Sequence, residues 1–208
     1  MSTSEVLFKE MKSAPDLFLL LKKIQAEVKS ETTKRKAFYQ IIHDDSKAEF
    51  INGEILYQSP VTMRHWKVSS NLSGLIIPFV KQNKLGEVAV EKAMVSLTRN
   101  DYEPDICFWK SNKSKKFKSG TMHFPAPAFI VEILSLSTTK TDRGIKFRDY
   151  SAHGVEEYWI IDPKAEIIEQ YWIEGSQYSL VKKAKKQDIV SSKVISGFEI
   201  KASEIFAK

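Results

Sequence analysis

Cysteine is almost absent: Cys107 stands alone among 208 residues. That excludes an intramolecular disulfide and a cysteine-built zinc site, and it fits a reducing compartment. Cys107 lies in the apolar run Ile106-Cys107-Phe108-Trp109, so it reads as packing, not as a nucleophile. Long apolar runs are missing too. The stretch Leu17-Phe18-Leu19-Leu20-Leu21 stops at Lys22 and Lys23, too short for an export signal or a bilayer span. A cytoplasmic protein with no membrane partner is expected. The four histidines, His43, His65, His123 and His153, are scattered without ligand spacing. No internal repeat, low-complexity segment or flexible linker interrupts the chain.

What is present is ordinary in bulk and uneven in detail. With 42% hydrophobic and 28% charged residues, the composition is that of a globular protein large enough to bury a core without staples. The net charge of +6 leans toward polyanionic partners, although surface lysines that serve only solubility give the same excess.

Residues 15–29 carry Phe18, Leu21, Ile24 and Val28 at helical spacing, with Asp16 at the start. They predict a helix that docks on the domain or on a second subunit, and residues 33–42 predict another. An N-terminal helical extension over 1–31 and a single domain over 32–208 follow. Residues 48–58 predict a hairpin turned at Asn52-Gly53, with Glu54 opening the return strand. Residues 64–84 place Trp66, Leu72, Leu75, Ile76, Phe79 and Val80 on a core-facing helical stripe that Pro78 should kink or split. Residues 87–98 read as extended. Strand, helix and strand over 129–161 predict a βαβ crossover, hence parallel pairing within a mixed sheet. A further hairpin is expected around Gly175-Ser176.

Two apolar runs are interrupted by acids, Asp105 in Glu103-Pro104-Asp105-Ile106 and Glu132 in Phe129-Ile130-Val131-Glu132-Ile133-Leu134. A carboxylate held in such a run is costly unless a cation or donor compensates it, and carboxylates converging from neighbouring strand ends suit a divalent ion with oxygen ligands. The plain alternative is that the acids lie in water or pair with lysines. On the helix expected over 142–152, Arg143, Lys146 and Tyr150 follow one another at spacings of three and four, presenting two cations and a phenol on one face. Lys113, Lys115, Lys116 and Lys118 enrich a serine-rich loop, which reads as solvated surface or, beside a phosphodiester site, as an electrostatic rail. Ser135 is a helix-capping candidate.

The ordered series Ile51-Asn52-Gly53-Glu54-Ile55, Pro104-Asp105-Ile106, Val131-Glu132-Ile133-Leu134-Ser135, Asp142-Arg143-Gly144-Ile145-Lys146 to Tyr150, and Gly154-Val155-Glu156-Glu157-Tyr158-Trp159-Ile160-Ile161-Asp162-Pro163 resembles the Uma-two family of the PD-(D/E)XK nuclease superfamily, over roughly residues 32 to 204. The resemblance implies an α/β fold, a restriction-endonuclease-like mixed β-sheet core flanked by helices. It also implies Mg²⁺ or Mn²⁺ at Asp105, Glu132 and Glu54, and DNA as the substrate of a hydrolytic endonuclease; separately, a homodimer is expected. Leu134 stands where the superfamily's Glu-X-Lys pattern places its lysine, so Lys146 would substitute. Lys113, Lys115, Lys116, Lys118, Arg143, Tyr150 and Ser135 would serve the nucleic acid or support the site. Two other readings stay open: an inactive nucleic-acid-binding or regulatory module on a nuclease scaffold, and an interaction protein whose acids simply pair with lysines.

Overall fold

The computed structural model describes residues 3–42 and 47–207, so His43 lies outside the described residues. The chain divides into two units, Met1–Tyr57 and Gln58–Lys208.

In the first unit, helix α1 (Thr3–Ser13) is followed by α2 (Leu17–Ile41) and the hairpin β1 (Ala48–Ile51) and β2 (Glu54–Tyr57). The two helices expected over 15–29 and 33–42 are one. Thr32 and Thr33, at the expected junction, bond back to the carbonyls of Val28 and Lys29 at 2.7 and 3.0 Å, so their hydroxyls are satisfied inside the helix. The position 31/32 falls within α2. Phe18 and Val28 on α2 stay exposed, whereas Phe38 is buried and stacks on Phe50 at 5.7 Å between centroids. The hairpin turns where expected. Asn52 and Gly53 both take positive φ, 51° and 83°, as a type I′ turn requires.

The second unit begins with α3 (Met63–Gln82), then β3 (Gly86–Val90), β4 (Met94–Ser96), β5 (Asp101–Tyr102), β6 (Ile106–Lys110), α4 (Ser111–Ser114), β7 (His123–Phe124) and β8 (Phe129–Ile133). A crossover of α5 (Thr139–Thr141), a π-helical turn (Asp142–Lys146) and α6 (Phe147–Ala152) leads to β9 (Glu157–Asp162). The chain ends with β10 (Ile167–Glu174), β11 (Gln177–Lys185), β12 (Ile189–Ser191), β13 (Glu199–Lys201) and α7 (Ala202–Ile205). The main sheet has the order β11-β10-β9-β8-β6-β3. Only β8 and β9 pair in parallel within it, with Val131 opposite Trp159 and Ile133 opposite Ile161. The expected crossover is therefore present.

Strand parity sorts the two faces of this sheet. Ile106, Phe108, Phe129, Val131, Ile133, Trp159 and Ile161 join Val68, Leu72, Ile76 and Val80 of α3 and the C-terminal Ile195, Phe198 and Ile205 in one apolar core. The intervening Cys107, Glu132 and Tyr158 take the other side. Helix α3 runs unsplit through Pro78, and Trp66, expected in its core stripe, is 54% exposed. The buried stripe runs Val68, Leu72, Ile76, Val80 at steps of four, and Trp66 falls off it. The extended stretch 87–98 is two strands, broken where Glu91 and Lys92 take positive φ.

Gly86 fixes the edge of the main sheet. A Cβ on this residue would lie 1.9 Å from the Trp109 carbonyl oxygen, and its strand partner is Lys110. Gly86→Ala should therefore force β3 away from β6 and cost about 1–3 kcal/mol, the usual range for overpacking. A urea midpoint unchanged from wild type would refute this close approach.

Candidate active site

Asp105 lies immediately before β6, and Glu132 is the fourth residue of β8. The register Ile106 to Val131 brings these acids to neighbouring places on adjacent strands. Both are buried. The Ile133 backbone N–H donates to Asp105 Oδ2 at 2.7 Å, and His65 Nε2 is 3.3 Å from the same oxygen. His65 reaches it from the first turn of α3, where the Thr62 side chain caps the helix by accepting from the His65 N–H. His65 Nδ1 is buried without a hydrogen-bond partner. Nε2 is thus the ring nitrogen placed to donate to the carboxylate. Sequence reasoning passed over His65 because its spacing to other ligand types carries no signal. The contact is made by tertiary folding alone.

Lys146 is 1% exposed. Its Nζ lies 3.0 Å from Glu132 Oε1 and 3.3 Å from Asp142 Oδ1, with the Tyr102 ring centroid at 5.8 Å. The Tyr150 hydroxyl donates to Glu132 Oε1 at 2.8 Å, so both cross-helix partners converge on one carboxylate oxygen. The expectation that Lys146 faces the Glu132 strand is met by this geometry. Tyr150 is itself fully buried, edge-on to Tyr102 and Tyr158, and serves the carboxylate, with no surface for a phosphate. Arg143 leaves the shared face. It donates to Glu169 on β10, which also receives Tyr171 at 2.9 Å and Lys183 at 3.2 Å. The π-helical turn at 142–146, with its wider hydrogen-bonding step, separates the directions of Arg143 and Lys146 where a regular α-helix would have aligned them.

The acids act on their surroundings as a group. Burial pushes the Cys107 thiol well up, and the charges of Glu132 and Asp105 push it further against the opposing pull of Lys146. Cys107 is thus an inert packing residue. Tyr158 is raised by burial and then by Glu132, Asp142 and Asp105, and its hydroxyl donates to the Asp142 carbonyl at 3.1 Å.

The remaining candidate residues make contacts of their own. Glu54 lies in the first unit, largely exposed, 3.6 Å from Lys34. The Ser135 hydroxyl is 2.9 Å from that of Thr138 and accepts from the Thr138 N–H at 3.2 Å, closing the turn before α5. The lysine loop leaves the far end of β6. Five residues at roughly 3.4 Å each set Lys110 about 17 Å from Asp105. Lys113 donates to the Ala126 carbonyl at 2.7 Å, Lys115, Lys116 and Lys118 are exposed, and Phe117 anchors the loop against Trp109 and Phe124.

Among the described residues no three His, Cys, Asp or Glu side chains are grouped to hold a metal ion. The buried pair Asp105 and Glu132 fits a hard cation of the Mg²⁺ type, which takes one or two carboxylates and completes its shell with water and phosphate oxygens.

The family model described as "Putative restriction endonuclease", Uma2, matches residues 35–203. The chain belongs to the Uma2 family. An uncharacterised protein of Synechocystis sp., sll1609, is 27% identical to this Uma2 chain over 138 residues, covering 65% of the chain and 77% of that relative. A crystal structure from Anabaena variabilis, described as a "putative nuclease belonging to DUF820", superposes with a TM-score of 0.70 at 18% identity, covering 81% of this chain and 94% of that one. The Uma2 chain therefore has the mixed α/β fold of that structure, with sheets flanked by helices. No helix among the described residues is long and apolar enough to cross a membrane.

Burial alone would raise the Glu169 carboxyl, but hydrogen bonds from Arg143, Tyr171 and Lys183 outweigh it and hold the group below its ordinary value. A lowered folded-state pKa contributes stability that is fully present above the unfolded value and lost as pH falls through the folded one. Glu169→Gln should therefore melt about 3–8 °C below wild type at pH 7, with the gap closing as pH drops below 4. A gap that persists at pH 2.5 would show that the loss is packing and not charge.

Proposed function

We propose that this Uma2 protein is an endonuclease that hydrolyses DNA phosphodiester bonds with Mg²⁺ or Mn²⁺ held by Asp105 and Glu132. The observation that supports it most is the buried Lys146 ammonium at 3.0 Å from Glu132, one strand from Asp105. Two carboxylates and an ammonium are thereby gathered from two adjacent strands and the following crossover. The +6 net charge suits a polyanionic substrate.

When bound, the ion supplies Lewis-acid polarisation of a phosphoryl oxygen and a water of lowered pKa. The residues do the rest. Asp105 is fixed by the Ile133 N–H and His65, so it presents its carboxylate without reorganising when substrate arrives. Lys146 holds positive charge beside the place where negative charge develops on the phosphorus oxygens, and the surrounding Tyr102 and Tyr150 rings exclude water that would weaken it. Tyr150 keeps Glu132 aimed. Glu54 would join as a third acid, directly or through water. Lys115, Lys116 and Lys118 would contact phosphates distant from the cut, since 17 Å is about half a turn of duplex. A homodimer would set one site against each strand.

Asp105→Asn and Glu132→Gln should each abolish Mn²⁺-dependent nicking of plasmid DNA while leaving the far-ultraviolet dichroism of wild type. Glu54→Gln should weaken Mn²⁺ binding by less than either. Nicking that survives in Asp105→Asn would defeat the mechanism. A wild type that binds Mn²⁺ and DNA yet cuts nothing would favour the inactive binding module.

DNA affinity should also depend steeply on salt. Replacing Lys113, Lys115, Lys116 and Lys118 together by glutamine should lower the slope of log K against log salt by about one for each lost phosphate contact. Lys113, already tied to Ala126, should contribute least. An unchanged slope would return the loop to plain solvated surface.

A further inference from the structure

Glu169 gathers more positive charge than it needs for its own neutralisation. Arg143 Nη1 donates to Glu169 Oε2, Lys183 Nζ lies 3.2 Å from Oε1, and the Tyr171 hydroxyl donates to Oε2 at 2.9 Å. The carboxylate is nearly buried, whereas the side chains of Arg143 and Lys183 are 39% and 55% exposed, so both cations reach solvent. One of them would balance the acid. The second adds little stability at such exposure and leaves a net positive charge at one point. A guanidinium and an ammonium together carry eight N–H donors, more than the two oxygens of one carboxylate engage, and such donors suit phosphate oxygens.

Sheet register ties this point to the acid of the proposed cut. Glu132 is opposite Ile160, Ile160 opposite Glu169, and Glu169 opposite Lys183, in one row across β8, β9, β10 and β11. Cross-strand partners share a face, so Glu169 and Lys183 stand on the side that Glu132 takes, while Ile168 and Ala184 enter the core on the other. Strand spacing sets Glu169 about 10 Å and Lys183 about 14 Å from Glu132. Lys185 follows on the same face of β11, the edge strand, and is exposed. The π-helical turn serves both ends of this row, sending Lys146 to Glu132 and Arg143 to Glu169.

We propose that Arg143 and Lys183, held together at Glu169, clamp a backbone phosphate of the nucleic acid about three to four nucleotides from the cut, at roughly 3.4 Å per phosphate along one strand. The inference rests on the nuclease reading above. It extends the contact surface across the strands, where the lysine loop extends it along β6.

The test is binding of a short fluorescent duplex to the full chain over a salt series, read by anisotropy without divalent ion so that nothing is cut. Arg143→Gln and Lys183→Gln should each lower the slope of log K against log salt by about one and weaken binding about 8-fold at 0.1 M salt, which is what a slope of about 0.9 per contact gives relative to 1 M. Arg143→Lys, which keeps the charge, should keep the wild-type slope. Lys81→Gln is the control: it removes an exposed charge from the last turn of α3, which packs on the opposite face of the sheet, and should leave the slope unchanged. Equal losses in Lys81→Gln and Lys183→Gln would show a response to net charge alone and overturn the clamp. A wild-type slope in Lys183→Gln overturns it too, and that half-exposed position carries the test should Arg143→Gln fail to fold. A wild type that binds no duplex with or without Mn²⁺ would instead sink the nucleic-acid reading, and this inference with it.

Discussion

The contact between Lys146 and Glu132 is the constraint around which the second unit is arranged. An ammonium and a carboxylate both nearly inaccessible to water carry a desolvation cost that their mutual attraction only partly offsets. The arrangement survives because every neighbour contributes. Tyr150 bonds the same Glu132 oxygen, Asp142 takes the other side of the lysine, and Tyr102 lays its ring near the ammonium. Remove one partner and a buried charge loses part of its compensation, which costs more than the pair is worth. A well-packed apolar set of the same volume would stabilise the fold at least as well, so the charges point to chemistry.

The sheet makes room for that chemistry by dividing its faces. Every residue of β8 is buried, yet Val131 and Ile133 enter the apolar core under α3 while Glu132 between them meets Lys146. The two-residue period of a strand keeps polar and apolar burial apart without any change in backbone. Asp105 belongs to the polar side but comes before β6 begins, where its carboxylate can take the Ile133 N–H. One acid is held from within a strand and the other by the edge of its neighbour.

The local chemistry of this chain was legible in its sequence wherever one residue type forces one geometry. Asn52-Gly53 demanded a tight turn and made one. The apolar runs around Glu132 and Ile160 demanded buried strands, and the segment between them demanded a parallel crossover. Legibility failed where tertiary contacts decide. The gap expected between residues 29 and 33 is helical, and Thr32 and Thr33 bond to the preceding turn of α2. Trp66 looked like core and is exposed, because the buried face of α3 runs through His65, Val68, Leu72, Ile76 and Val80 and Trp66 falls off it. Arg143 and Lys146 looked like one face until the π-helical turn divided them between Glu169 and Glu132. The contact of His65 with Asp105 spans forty residues of chain and leaves no local trace. The strands of the C-terminal region after Lys185 carry too short a pattern to be read alone.

Leu134 stands where the Glu-X-Lys pattern implied by the resemblance would place a lysine, and the ammonium beside Glu132 comes from Lys146. Two residues past Glu132, position 134 would continue on Glu132's side of the strand, but its N–H is taken by the Ile161 carbonyl at 2.8 Å and its side chain is 8% exposed. An ammonium there would have to be buried on the sheet itself. The crossover that follows passes over the same side, and its π-helical turn lowers Lys146 onto Glu132 from above. The proposed chemistry asks for positive charge beside that carboxylate, and a strand or a crossover helix can each deliver it. The crossover also carries Asp142, one turn before Lys146 and 3.3 Å from its ammonium, so the lysine arrives with a carboxylate beside it on the same scaffold.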